Sequence, residues 1–108
     1  MSFKLKKRTE GAWAVLQVEG EIVGPGAVKI NARLESMRKS HEGGVVVDLS
    51  AVSFIDSHGL GVLIYNWKLA ENAGQKMAFV APAGVVRDML TSTHLDKIMT
   101  IAESIEAL

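Results

Sequence analysis

The stretch VVVDLSAVSFIDSHGLGVLI, residues 45–64, decides the fold. Its first five residues, Val45 to Leu49, are a nearly continuous β-branched run, the mark of a strand covered on both faces, and such strands belong to parallel sheets. Ser50 to Ser53 interrupt the apolar run before Phe54-Ile55 and Asp56-Ser57. Leu60, Leu63, Ile64, Trp67 and Ala70 then recur at helical spacing until Gly74, which predicts a helix beginning at Ser57. A buried strand running straight into a helix is one half of a parallel strand-helix-strand unit.

Working outward, the same unit recurs. On the N-terminal side Ala27, Ile30, Leu34 and Met37 form an amphipathic helix opened by Pro25 and stopped at Gly43-Gly44. Before it, FKLKKR alternates Phe3, Leu5 and Lys7 against Lys4, Lys6 and Arg8, and is followed through Glu10-Gly11 by AWAVLQVEGEI, which reads as a hairpin. The lysines suit an edge strand protected against edge-to-edge pairing. On the C-terminal side KMAFVA makes a strand, Pro82 opens a helix through Leu90, KIMTI makes a short last strand and ESIEAL a final helical turn. The order β β α β α β α β α predicts an α/β fold: a mixed, mostly parallel sheet with an N-terminal antiparallel edge hairpin and about four helices.

Whole-chain properties bound what such a fold does. A length of 108 residues suits one domain, residues 1–108, and 48% hydrophobic residues can form its core. Lys plus Arg and Asp plus Glu are 12 each, so there is no basic excess of the kind that neutralises nucleic-acid phosphates, and direct nucleic-acid binding is not expected. The apolar runs are too short for membrane insertion, the start MSFKLKKRTE lacks the apolar stretch of a signal peptide, and there is no Cys. A cytoplasmic protein without disulfides is the expectation.

The chemistry centres on Ser57, which the topology puts on the rim where carboxyl ends of parallel strands present functional groups. Read from residues alone, Ser57 is a helix N-cap, a nucleophile or a modified side chain. A nucleophile elbow G-x-S-x-G would need Gly where Ile55 stands, and a triad of Ser57, Asp88 and His94 has nothing local to bring it together. Gly59-Leu60-Gly61 reaches Ile64 where the dinucleotide fingerprint needs a third small residue. There is no P-loop. His41, His58 and His94 lack metal-ligand spacing, and Asp48, closing its strand, reads as a turn or capping residue, so no metal or cofactor is expected.

The stretch VVVDLSAVSFIDSHGLGVLIYNWKLAENAGQKMAFV, with the tail THLDKIMTI, resembles the STAS domain, the family of bacterial anti-sigma factor antagonists. The resemblance implies that Ser57, directly after Asp56, is the phosphoacceptor, and that Asp56, His58, Gly59, Leu60 and Glu21 belong to the partner-binding surface. It implies as partner an anti-sigma factor that is itself a Ser kinase, with a Ser phosphatase to reset the switch, and a role in controlling sigma-factor-dependent transcription rather than as an enzyme. Two positions depart from the family pattern: His58 stands where many relatives have Ser or another small residue, and Val23 stands where Gly-Glu-Leu-Asp is common. The alternative within the family is an unphosphorylated scaffold or subunit of a stress-signalling or lipid-transport complex. A small Ser hydrolase is the alternative outside it. Oligomeric state is not legible in the chain.

Overall fold

The computed structural model describes residues 3–41 and 43–108; Met1 and Ser2, which open the stretch read for a signal peptide, lie outside it. A single sheet of five strands is formed by β1 (Lys4–Glu10), β2 (Trp13–Ile22), β3 (Gly44–Ile55), β4 (Met77–Val80) and β5 (Thr100–Ala102), in that spatial order. The helices are α1 (Gly24–Ser40), α2 (Ser57–Asn72) and α3 (Val85–Ser92), with 3-10 turns at Leu95–Lys97 and Ile105–Ala107. The expected alternation therefore holds, and the last helix is a single 3-10 turn.

β1 and β2 are antiparallel, from Glu10 opposite Trp13 to Lys4 opposite Glu19. The turn between them is Gly11-Ala12, where Gly11 takes φ +60°, a left-handed conformation that glycine adopts without Cβ strain. β2 to β5 run parallel and add on one side in sequence order. Right-handed crossovers that always advance in the same direction put every helix on the same face. The core follows that rule. Ala27, Ile30, Leu34 and Met37 of α1, Leu63 and Ala70 of α2, and Val86 and Leu90 of α3 pack with Val45, Val47, Leu49, Met77 and Phe79 of the sheet.

The cover on both faces that the Val45–Leu49 run predicts comes from helices on one side only. Val15, Val46, Ala78 and Val80 face away from the three helices and are covered by Trp13, Ile105 and Leu108. β3 is central and buried on both faces, as its β-branched run requires, but its second cover is a short C-terminal turn.

β3 also runs longer than expected, straight through Ser50 to Ser53. Its register against β2 shifts between Gln17 and Glu19 and again between Gly20 and Glu21, leaving extra residues on β3. Such bulges bend a strand and re-aim its side chains. Asp48 lies inside the strand and not at its end: it is buried, and its Oδ1 accepts from the Ser50 N–H at 3.0 Å and the Ser50 hydroxyl at 2.7 Å, closing the first irregularity.

Candidate functional site

The carboxyl ends of β2 and β3 deliver the chain to the start of α2, and Asp56 ties the two together. Its backbone N–H donates to the Ile22 carbonyl at 3.1 Å, and its Oδ1 accepts from the Gly59 N–H at 2.7 Å. Its own carbonyl accepts the first helical hydrogen bond, from Leu60 N–H at 2.9 Å. The N-cap is therefore Asp56 and not Ser57, a correction with a simple cause: a carboxylate satisfies an orphan N–H and favours the positive helix terminus at the same time. Ser57 is the first helical residue, exposed, and left without the capping duty.

The other expected site residues divide by burial. His58 is exposed, Asp56 and Glu21 are half-buried, and Leu60 is half-buried against the core. Gly59 is buried, and a Cβ there would meet Ile22 Cγ2 at 2.6 Å and the Ile22 carbonyl oxygen at 2.8 Å. A side chain at Gly59 would therefore force Ile22 to shift. Gly61 differs: nothing lies within 4 Å of a Cβ built on it, and it is exposed one turn beyond Ser57.

Glu21 pairs with Phe54 across the β2–β3 ladder, one residue before the Ile22 that holds Asp56. This brings Glu21, Asp56, Ser57 and His58 to one rim. Val23 and Phe54, 36% and 41% exposed, add apolar surface there. Phe54 belongs to an apolar pair in sequence, and the second bulge gives the core position after Val52 to its neighbour Ile55 and turns Phe54 outward. Its exposure had no sequence signal.

Asn66 carries no sequence signal either, because a polar residue inside an amphipathic pattern looks like a solvent position. It is fully buried between α1 and α2, donating to Asn31 Oδ1 at 2.8 Å and to the Val62 carbonyl at 2.9 Å, and accepting from Arg38 Nε at 3.2 Å.

Ser57, Asp88 and His94 are not brought together. Ser57 follows the carboxyl end of β3, whereas His94 lies beyond α3 in the turn leading to the amino end of β5. His41 Nε2 lies 3.0 Å from the Ala12 carbonyl oxygen, a structural contact. No cluster of His, Cys, Asp or Glu among the described residues has metal-binding geometry. No helix among them is long and apolar enough to cross a membrane.

The strand order has a further consequence at this rim. Ligand crevices in open α/β sheets form where strand order reverses, and β2 to β5 never reverse. Ser57 is exposed and lines none of the three cavities bordered by Trp13, Asp48 and Leu5.

Comparison with known proteins agrees with this architecture. Residues 4–108 match the family model of the STAS domain. An anti-sigma factor antagonist from Mycobacterium paratuberculosis superposes with a TM-score of 0.87 at 24% identity, over 98% of this chain and 90% of that one. A variant of RsbS from Moorella thermoacetica gives 0.78 at 24% identity, over 95% and 89% of the two chains. The Bacillus cell-fate determinant SpoIIAA in its phosphorylated form gives 0.72 at 20% identity, over 98% and 96%.

Proposed function

Because this chain belongs to the STAS domain family, we propose that it is an anti-sigma factor antagonist, a single STAS domain that binds an anti-sigma factor with Ser kinase activity in the cytoplasm and is released by phosphorylation of Ser57. The observation that carries this reading is the division of labour at the start of α2. Asp56 caps the helix, so the exposed Ser57 hydroxyl has no structural duty to lose on modification.

The physical consequences of phosphorylation follow from the site. A phosphate adds roughly −1.5 to −2 charge and three acceptor oxygens at a helix N-terminus, where the macrodipole and free N–H groups favour an anion, so the fold tolerates it. The partner surface does not. The new charge joins the carboxylates of Asp56 and Glu21 on the same rim, and burying that cluster in a closed interface is costly without matching cations. His58 and Leu60 border the phosphoacceptor as contact residues, and Gly59 shapes the surface from beneath by letting α2 sit close on Ile22. Ser57 is exposed and lines none of those cavities, which supports a binding role over Ser hydrolysis.

The test is incubation with the cognate kinase-type anti-sigma factor and ATP. The expected result is a mass gain of one phosphate that Ser57→Ala abolishes, together with loss of the complex on gel filtration. A stable complex without mass gain would favour the unmodified scaffold, and hydrolysis of activated esters dependent on Ser57 would overturn both.

A further inference from the structure

The chain carries no net charge, yet its cations are concentrated. Lys4, Lys6, Lys7 and Arg8 lie on β1, and Lys29 and Arg33 lie on α1. Arg8 is engaged by Glu10 at 3.4 Å and Gln17 at 3.0 Å, whereas Lys4, Lys6, Lys7, Lys29 and Arg33 form no ion pair among the described residues. Register puts them on both faces of the edge. Leu5 and Lys7 oppose the core residues Val18 and Leu16 on the helix side, and Lys4 and Lys6 oppose Glu19 and Gln17 on the other.

β1 is also a free edge. All seven of its residues pair with β2 on one side, and among the described residues no strand lies on the other. Alternate residues of an edge strand turn their N–H and C=O groups outward, a template for one more strand. Beside β1 runs an open groove of about 420 Å³ lined by Leu5, Lys29, Ala32, Arg33 and Ser36. Leu5 and Ala32 give it an apolar floor, and the two cations stand along it.

We propose that the β1 edge is a docking site for an acidic, extended segment of a partner protein, which adds as a strand beside β1. Free main-chain groups select an extended polypeptide. Acidic side chains on one face of the added strand would meet Lys7, Lys29 and Arg33, and those on its other face Lys4 and Lys6. The same cations reject a second copy of this chain, since two such edges would set lysines against lysines. The opposite edge, β5, is only three residues long and offers no comparable ladder. This site lies on β1, two strands from the β3 end that carries Ser57, and does not depend on the phosphorylation reading.

The test uses the whole protein and a fluorescein-labelled seven-residue peptide of alternating Glu and Val. Saturable binding by fluorescence anisotropy is expected, with slowed hydrogen exchange of alternate β1 amides. The double variant Lys29→Glu/Arg33→Glu, both on an exposed helix face, should weaken binding at least ~10-fold, and salt well above physiological strength should weaken it in the same direction. A peptide of equal charge with every backbone nitrogen methylated cannot donate to the ladder in either register and should bind at least ~10-fold more weakly. Equal binding of the two peptides, or unchanged β1 exchange, would overturn strand addition. Capture by phosphatidylserine vesicles without peptide binding would overturn the peptide in favour of a membrane surface.

Discussion

Two glycines two residues apart on α2 should respond to the same substitution in opposite ways. At Gly59 an added methyl would lie 2.6 Å from Ile22 Cγ2, 2.8 Å from the Ile22 carbonyl oxygen and 3.0 Å from Ile55 Cγ2. The side chains can yield a little, but the carbonyl also holds the Asp56 N–H at 3.1 Å, so displacing it loosens the start of α2. Overpacking costs ~1–3 kcal/mol and, against a fixed carbonyl, falls in the upper part of that range, ~2–3 kcal/mol, offset by the ~0.5–1 kcal/mol gained when Ala replaces Gly inside a helix, for a net loss of ~1–2.5 kcal/mol. At Gly61 a methyl meets nothing within 4 Å, so only the helix gain of ~0.5–1 kcal/mol remains. An unfolding entropy of ~2.1 cal/mol/K per residue gives ~0.23 kcal/mol/K for a chain of 108 residues. Gly59→Ala should therefore lower Tm by ~4–11 °C and Gly61→Ala should raise it by ~2–4 °C. Scanning calorimetry of both variants at one concentration reads these shifts directly. A Gly59→Ala variant that melts with wild type would refute the close approach of Ile22, and a Gly61→Ala variant that melts lower would refute the open helix face. Gly61 also bears on the proposed partner surface: a variant that is more stable yet binds the anti-sigma factor more weakly is expected if the partner packs against that bare turn.

Asp56→Ala should lower Tm by ~4 °C through loss of a cap worth ~1 kcal/mol, while Asp56→Asn keeps most of it, as thermal melts will report. Ser57→Asp should be at least as stable as Ser57→Ala, because its charge suits the helix terminus by ~0.3–1 kcal/mol, yet should bind the anti-sigma factor more weakly. Parallel rankings of melting and calorimetric binding would remove the switch. His58→Ser should change stability by no more than ~0.5 kcal/mol, since His58 is exposed, and a larger loss in denaturant titration would mean that its ring is bonded into the rim. Asn66→Leu should cost ~1–3 kcal/mol by stranding Asn31 and Arg38 at the α1–α2 contact, and an unchanged urea midpoint would show that both partners turn freely to solvent.

By itself the sequence determined the order of elements and the helix-facing side of the core. Val45 to Leu49 could only be a buried strand, and Ala27, Ile30, Leu34 and Met37 could only be one face of a helix, because hydrophobic periodicity is a local property and burial rewards it everywhere along the chain. Those elements also located Ser57 after the carboxyl end of β3. Tertiary structure decided what periodicity does not encode. Whether Asp56 or its neighbour Ser57 caps α2 depends on which side chain the Ile22 contact turns toward the Gly59 N–H. Whether Phe54 or Ile55 follows Val52 into the core depends on the second register shift against β2, since one extra residue flips every later side chain to the other face. Asn66 could be buried only because Asn31 and Arg38, far away in the chain, arrive to satisfy its amide, and a polar group without such partners would have been driven outward.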